Sequence, residues 1–113
     1  MSKDGADKIF KMLLYLAEGP SSRVVEIFLI ESGLKIEKKI INLARDENLQ
    51  PDFLKLNPLG QVPCLDIGNN TISESVAICE YLEKVGLSDS RLFGQTEIEN
   101  ALIKMWQRRI DLY

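Results

Sequence analysis

The stretch from 57 to 75, NPLGQVPCLDIGNNTISES, interrupts the chain four times, at Asn57-Pro58, Gly60, Pro63 and Gly68. The apolar segments that lie between or after these breaks, 62–67 and 71–72, are too short for helices and have the composition of strands. The Gly-Asn-Asn sequence that joins them is typical of a β-hairpin turn. The stretch therefore predicts two short antiparallel strands, after which a new helix begins.

Strand and helix patterns alternate in the rest of the chain. Gly33 provides a stop for the first helix, Thr96 and Glu99 form a capping-box pattern at the start of the last one, and Ile36 and Ile40 are expected on one face of the second strand. The predicted strands cover 9–17 and 35–43, and the predicted helices cover 23–32, 51–56, 74–85 and 96–113.

The resulting order, β-α-β-α-β-β-α, predicts an α/β protein with a thioredoxin-like fold. A right-handed crossover makes the first two strands parallel and the hairpin adds an antiparallel pair, which gives a mixed four-stranded sheet with helices on both faces. We predict four parts: a flexible tail over 1–8, the thioredoxin-like domain over 9–86, a linker over 87–95, and over 96–113 the first helix of a truncated all-α domain.

The last helix supports the prediction of a longer natural protein. It places Leu102, Met105 and Trp106 at helical spacing and reaches the chain terminus without a stop signal. We expect these apolar side chains to seek a partner surface, so that this piece of the protein would self-associate or be poorly soluble.

Composition excludes several classes of function. The chain has no histidine, which removes histidine-based triads and dyads and nearly every zinc site, so no metal is expected. Cys64 and Cys79 lie fifteen positions apart rather than in a Cys-x-x-Cys pair, and we expect both to be packing residues. A net charge of −3 argues against nucleic acid as a partner. The longest apolar run near the N-terminus, 12–17, is too short to span a membrane, and we predict a cytoplasmic protein.

Two segments together resemble one known family. NPLGQVPCL followed by TISESVAICEYL is similar to the glutathione-binding half of cytosolic glutathione transferases, and RVVEIFLIESGLKIE and ALIKMWQRRIDLY resemble their first helix and the start of their second domain. The resemblance covers roughly 9–113 and implies glutathione as ligand and co-substrate, a small electrophilic substrate and a homodimer. It also implies a role in detoxification.

The resemblance assigns glutathione-binding roles that have separate physical support. A cis bond between Val62 and Pro63 would turn the backbone N–H and C=O of Val62 outward to pair with an extended peptide. Glu74 and Ser75 fall at a helix N-terminus, where the γ-glutamyl ammonium and carboxylate can be held. Gln61 is expected to contact the tripeptide from the other side. Each assignment has an alternative. Pro63 would be an ordinary trans proline at the start of a strand, and Glu74 would only cap its helix as the partner of Thr71. Gln61 would be a solvated turn residue.

The residue that activates the thiol is harder to assign, because Gly19 occupies the position where some serine-type branches of the family keep their donor. Ser21 is our first choice, because it lies near the end of the first strand and at the start of a helix. Ser22 and Tyr15 are the alternatives, and a role for both serines as mere caps remains open. A basic residue that some branches use for the glycyl carboxylate is also absent, with Asn48 and Leu49 in its place.

We therefore predict the glutathione-binding domain of a glutathione transferase, which activates the glutathione thiol for attack on an electrophile or a peroxide. The rival hypothesis is a non-catalytic, transferase-like module for protein interaction or assembly, which the glycine at position 19 favours. Whether this chain is itself an enzyme is left open, because the electrophile site belongs mostly to the second domain of the family.

Overall fold

A computed structural model of the chain describes residues 12–86 and 96–112, and in the second range it describes the side chains of 96–105 and 108–109. The predicted tail and linker, the first part of the predicted strand 9–17, and the side chain of Trp106 lie outside the described residues.

The centre of the fold is a four-stranded mixed sheet, as predicted. Its strands are β1 (Leu13–Leu16), β2 (Glu37–Ile40), β3 (Cys64–Asp66) and β4 (Thr71–Ser73), in the order β2-β1-β3-β4. β1 runs parallel to β2 and antiparallel to β3, and β3 pairs antiparallel with β4. This arrangement is the thioredoxin-like architecture.

Over 12–86 and 96–112, four α-helices accompany the sheet. They are α1 (Pro20–Ser32), α2 (Pro51–Leu56), α3 (Ser75–Val85) and α4 (Glu97–Leu112), and two single 3₁₀ turns, Leu43–Arg45 and Glu47–Leu49, connect β2 to α2. The helix predicted over 23–32 begins three residues earlier, because Pro20 fits the first helical position, where no N–H is needed.

The two faces of the sheet are covered unequally. α1 and α3 pack on one face, where the buried cluster consists of Met12, Leu14, Leu16, Val25, Phe28, Leu29, Ile36, Leu65, Ile78, Cys79 and Leu82. Of the described helices, only the short α2 covers the other face, with a smaller cluster of Tyr15, Ile41, Phe53 and Cys64. The alternation of Leu14 and Leu16 with Tyr15 along β1 supplies both clusters, since successive strand residues point to opposite faces.

The prediction for the second strand was partly wrong. Ile36 is buried just before β2 begins, whereas Ile40 is 66% exposed and does not share a buried face with it. β2 is an edge strand whose four residues are all exposed, and Ile41 turns inward instead, with its N–H donating to the Leu16 carbonyl at 2.7 Å. The twist and early end of an edge strand override a simple two-residue alternation.

The last helix is fixed at its start and against α3. Thr96 and Glu99 form the predicted capping box, and Lys104 Nζ lies 2.7 Å from Glu80 Oε2 on α3. Ile103 packs against the larger cluster, while Leu102 is 46% exposed. Within the described residues, no helix is long and apolar enough to cross a bilayer.

Candidate functional site

One cleft, with a volume of about 350 Å³, collects residues from four parts of the chain. Its lining consists of Ser21, Leu43, Asn48, Gly60, Gln61, Val62, Pro63, Glu74 and Ser75. The first-choice candidates from the sequence therefore lie together, although they are up to 54 positions apart (21 to 75). Leu43 and Gly60 are additional walls that sequence reasoning did not assign.

The loop that ends at Pro63 forms one wall. The Val62-Pro63 peptide bond is cis, which is the isomer that the sequence predicted. β3 begins only at Cys64, and within the described residues the N–H and C=O of Val62 make no backbone hydrogen bond. A backbone edge is therefore available beside the cleft.

Two asparagines hold this loop through side-chain hydrogen bonds. Asn48 Nδ2 donates to the Gly60 carbonyl at 2.9 Å, and Asn57 Nδ2 donates to the Gln61 carbonyl at 2.9 Å. Asn57 is buried, so its side chain is held by packing as well. Sequence analysis treated Asn57 only as a turn residue and Asn48 only as a departure from the family, and their bracing role had no local signal beyond the Asn-Pro turn.

Gly60 permits the close approach of this loop to the 3₁₀ turn that carries Asn48. Its φ of 65° lies in the left-handed region, and an added Cβ would lie 3.2 Å from both the Asn48 carbonyl oxygen and Leu49 Cδ2. A larger residue would therefore face both backbone strain and crowding at this point.

Glu74 has an unusual backbone at the start of α3. Its φ and ψ are 76° and 122°, a combination that typically costs a residue other than glycine about 1–3 kcal/mol. Its side chain is exposed and makes no capping hydrogen bond to the helix, and Thr71 lies in β4. The Glu74 side chain therefore does not act as a helix cap, and its carboxylate is available to the cleft.

The start of α1 forms the opposite wall. Gly19 precedes it with a φ of 145° and supplies no side-chain cap, so the first N–H groups of α1 lack a side-chain acceptor. Ser21 is exposed and lines the cleft, whereas Ser22 is 2% exposed and its Oγ accepts a hydrogen bond from the Ala17 N–H at 3.0 Å. The two adjacent serines therefore face different surroundings.

Tyr15 lies outside the cleft as well. It belongs to the small cluster on the α2 face, stands edge-on to Phe53 with ring centroids 5.4 Å apart, and lines a separate cavity of about 250 Å³. Burial raises the pKa of its phenol, and the charges of Asp66 and Cys64 add to the effect. Neither Tyr15 nor Ser22 shares a surface with Glu74.

The two cysteines are buried and free, on opposite faces of the sheet. Burial, with help from Asp66, raises the pKa of Cys64 to about 11, and burial with Glu83 raises that of Cys79 to about 12. Both thiols therefore stay protonated at neutral pH and are poor nucleophiles. The described residues contain no cluster of side chains suited to a metal ion.

The electrostatics of the cleft are simple. Glu74 is the one ionisable side chain among its lining residues, and the N-termini of α1 and α3 both border it. Helix N-termini carry partial positive charge and unpaired N–H groups, which favour an anion. The arrangement can hold a ligand with an ammonium group beside a carboxylate.

Known proteins resemble this chain in sequence and in fold. The profile described as "Glutathione S-transferase, N-terminal domain" matches residues 19–85, more than half of the chain. Glutathione S-transferase 1 of Dianthus caryophyllus is 50% identical over 60 residues, which cover 53% of this chain and 27% of that protein.

Two solved structures show the same architecture. The beta-etherase LigF from Sphingobium sp. strain SYK-6 superposes with a TM-score of 0.81 at 32% identity, covering 92% of this chain and 44% of that one. A glutathione transferase homologue from Drosophila mojavensis with bound glutathione gives a TM-score of 0.74 at 35% identity, covering 84% and 44%.

The chain spans about half or less of the length of its relatives, covering 27% of the Dianthus caryophyllus protein and 51% of glutathione S-transferase D7 of Anopheles gambiae. The matched profile, the mixed sheet and the relatives agree with one another. The chain belongs to the glutathione S-transferase family and contains its N-terminal domain.

Proposed function

We propose that the cleft between α1, α3 and the Val62-Pro63 loop binds glutathione, and that a longer parent protein uses the bound thiol as a nucleophile. The carrying observation is that Ser21, Gln61, Val62, Glu74 and Ser75 line one cleft with a single carboxylate and two uncapped helix starts. The solved Drosophila mojavensis homologue with bound glutathione supports the choice of ligand.

The γ-glutamyl end of the tripeptide fits the start of α3. The Glu74 carboxylate, which caps no helix, pairs with the α-ammonium group. The α-carboxylate accepts hydrogen bonds from the Ser75 N–H and hydroxyl, where the helix dipole adds to the attraction. Together these contacts select an α-amino-acid end rather than a simple acid.

The cysteinyl part of the tripeptide runs along the loop. The Val62 N–H and C=O, which have no backbone partner within the described residues, pair with the ligand backbone as an added strand. Gln61 is exposed at the rim of the cleft and contacts the peptide from the side. Asn57 keeps this edge in place through its bond to the Gln61 carbonyl.

Ser21 is the proposed activator of the thiol. A free thiol has a pKa of about 8.5 and only its thiolate attacks, so the site must stabilise negative sulfur. The Ser21 hydroxyl donates to that sulfur, and the start of α1 adds its dipole. The thiolate then forms a thioether with an electrophilic carbon while the leaving group departs with its electron pair. Alternatively it attacks a peroxide oxygen, so that the O–O bond breaks, the alkoxide leaves with the electron pair and the sulfur is oxidised to a sulfenic acid.

Further features of the parent follow from the family. We propose a homodimeric, cytoplasmic transferase with a role in detoxification, whose second domain supplies most of the electrophile pocket. α4 would be the first helix of that domain, and 9–86 and 96–113 would be separate structural units joined by 87–95.

A non-catalytic module is the second candidate, and one observation favours it. Gly19 occupies the place where serine-type branches keep their donor, and its φ of 145° suits glycine rather than serine. A protein that has given up this donor can still hold glutathione or dock a partner through the same cleft.

Two measurements test the proposed function, and the second separates it from the non-catalytic module. Isothermal titration of the 113-residue chain with glutathione should detect binding, and no heat of binding at millimolar ligand would contradict the proposed function. In the longer natural protein, titration of the bound thiol by thiolate absorbance should show a higher thiol pKa in Ser21→Ala than in wild type. A thiol pKa that is unchanged, with no turnover of a chromogenic electrophile, would favour the non-catalytic module.

A further inference from the structure

We infer that the cleft accepts γ-glutamylcysteinyl peptides whose C-terminal carboxylate is amidated or esterified nearly as well as it accepts glutathione. The inference rests on the proposed function, because it concerns the same cleft. It extends the ligand class from one tripeptide to a group of thiols that share the γ-glutamylcysteinyl end and differ at the other.

The charges of ligand and cleft do not match. Glutathione carries one ammonium group and two carboxylates, whereas the cleft offers one carboxylate, Glu74, and no lysine or arginine within the described residues. The ammonium and the α-carboxylate are accounted for by Glu74 and Ser75 at the start of α3. The glycyl carboxylate is left without a cation.

The remaining wall shows what the glycyl end meets. With the γ-glutamyl end at α3 and the cysteinyl part along Val62, the free part of the lining is Leu43, Asn48 and Gly60. Leu43 is apolar and 44% exposed, and Gly60 has no side chain. Only Asn48 offers a polar side chain, and it is neutral.

Asn48 is already partly engaged. Its Nδ2 donates to the Gly60 carbonyl at 2.9 Å, so one N–H of the amide remains for a ligand. A neutral donor of this kind prefers a carboxylate to an ester or amide carbonyl less strongly than a lysine or arginine does, because it brings no charge of its own. The wall therefore distinguishes only weakly between a charged and a neutral C-terminal group.

The basic residues on either side of Leu43 in sequence, Lys39 and Arg45, do not supply the missing cation. Lys39 lines the separate cavity under α2, and Arg45 is an exposed residue outside the cleft lining. Arg45 has a long side chain and follows Leu43 by two positions, so it is the residue to remove when the inference is tested.

The test compares three ligands on the 113-residue chain by isothermal titration: glutathione, its glycyl ethyl ester and its glycinamide analogue. We expect Kd values within about threefold of one another, because no lysine or arginine among the described lining residues pairs with the carboxylate that the analogues lack. The Asn48→Lys variant should separate the ligands, with glutathione about tenfold tighter than the amide, because an ion pair with the lysine becomes available to the acid alone.

Binding of glutathione with both blocked analogues more than threefold weaker would overturn the inference and leave the proposed function intact. If Arg45→Ala then removed that difference, Arg45 would be the cation that serves the glycyl carboxylate. Absence of glutathione binding itself would instead overturn the proposed function and the inference together. N-Acetylglutathione, which lacks the ammonium group that pairs with Glu74, is the control ligand and should bind much more weakly than all three.

Discussion

The helices α1 and α3 begin at the cleft without side-chain caps, whereas α4 begins away from it with a complete capping box. Gly19 and Glu74, the residues before α1 and α3, have φ values of 145° and 76°. At α4, Thr96 Oγ1 accepts from the Glu99 N–H at 3.2 Å, and Glu99 Oε1 accepts from the Thr96 N–H at 3.1 Å.

This difference separates helix starts that serve stability from helix starts that serve a ligand. The first N–H groups of a helix need acceptors, and α4 satisfies two of its groups within its own sequence. At α1 and α3 the corresponding groups are left for water or a ligand, and Glu74 adds backbone strain. The uncapped helix starts and the strained backbone at the cleft therefore lower the stability of the fold in favour of ligand binding.

The largest expected effect concerns the carboxylate at α3. Glu74→Ala should weaken glutathione binding by about 1.5–3 kcal/mol, on the order of 10- to 100-fold, because the ligand ammonium loses a charged partner. Isothermal titration measures the change, and Glu26→Ala, at an exposed position on α1, is the matched control. Equal affinity in Glu74→Ala and wild type would remove Glu74 from the site.

The next effect distinguishes the two serines at the start of α1. Ser22→Ala should lower the free energy of unfolding by about 1–3 kcal/mol, because the buried Ala17 N–H loses its acceptor. Ser21→Ala should change it by less than about 0.5 kcal/mol, as expected for an exposed side chain. Urea unfolding of both variants measures the two changes. Similar losses in the free energy of unfolding would contradict the different roles that the hydrogen bonds indicate for Ser21 and Ser22.

A smaller effect, this time an increase in the free energy of unfolding, is expected at the strained position, Glu74. Glu74→Gly should raise the free energy of unfolding by about 1 kcal/mol relative to Glu74→Ala, because glycine adopts a φ of 76° at little steric cost. Both variants lack the carboxylate, so both should lose glutathione affinity to the same extent. Thermal unfolding compares their stability, and a glycine variant no more stable than the alanine variant would argue against strain at this helix start.

The smallest effect belongs to the capped helix. Thr96→Ala should cost at most about 1 kcal/mol and should leave glutathione affinity unchanged, because the capping box serves only α4. Hydrogen exchange of the amides at the start of α4 should accelerate while those of α3 keep their protection. A loss of glutathione affinity in this variant would mean that the two classes of helix start are coupled.

Local patterns predicted most of the elements of the fold. α2 was predicted with its observed bounds, Gly33 ends α1, and Gly68 lies in the turn between β3 and β4. The capping box at Thr96 was also predicted correctly. Such features depend on residues three or four positions apart, so the sequence contains all the information that they require.

The errors and omissions have long-range causes. Ile40 is exposed because β2 lies at the edge of the sheet and has one neighbour, which no spacing within the segment reveals. Asn48 and Asn57 each form a side-chain hydrogen bond to the loop before Pro63, whereas in sequence Asn57 indicated only a turn and Asn48 only a departure from the family.

The sequence by itself determined the family, the order of strands and helices, and the residues of the Gln61 to Ser75 segment that border the cleft. Only the tertiary structure decided that Ser21 faces the cleft while Ser22 is buried against Ala17, and that Tyr15 lines a separate cavity under α2. The physical reason is rotation: successive residues differ by about 100° around a helix and by half a turn along a strand. Which of those directions leads to a ligand depends on packing against segments distant in sequence.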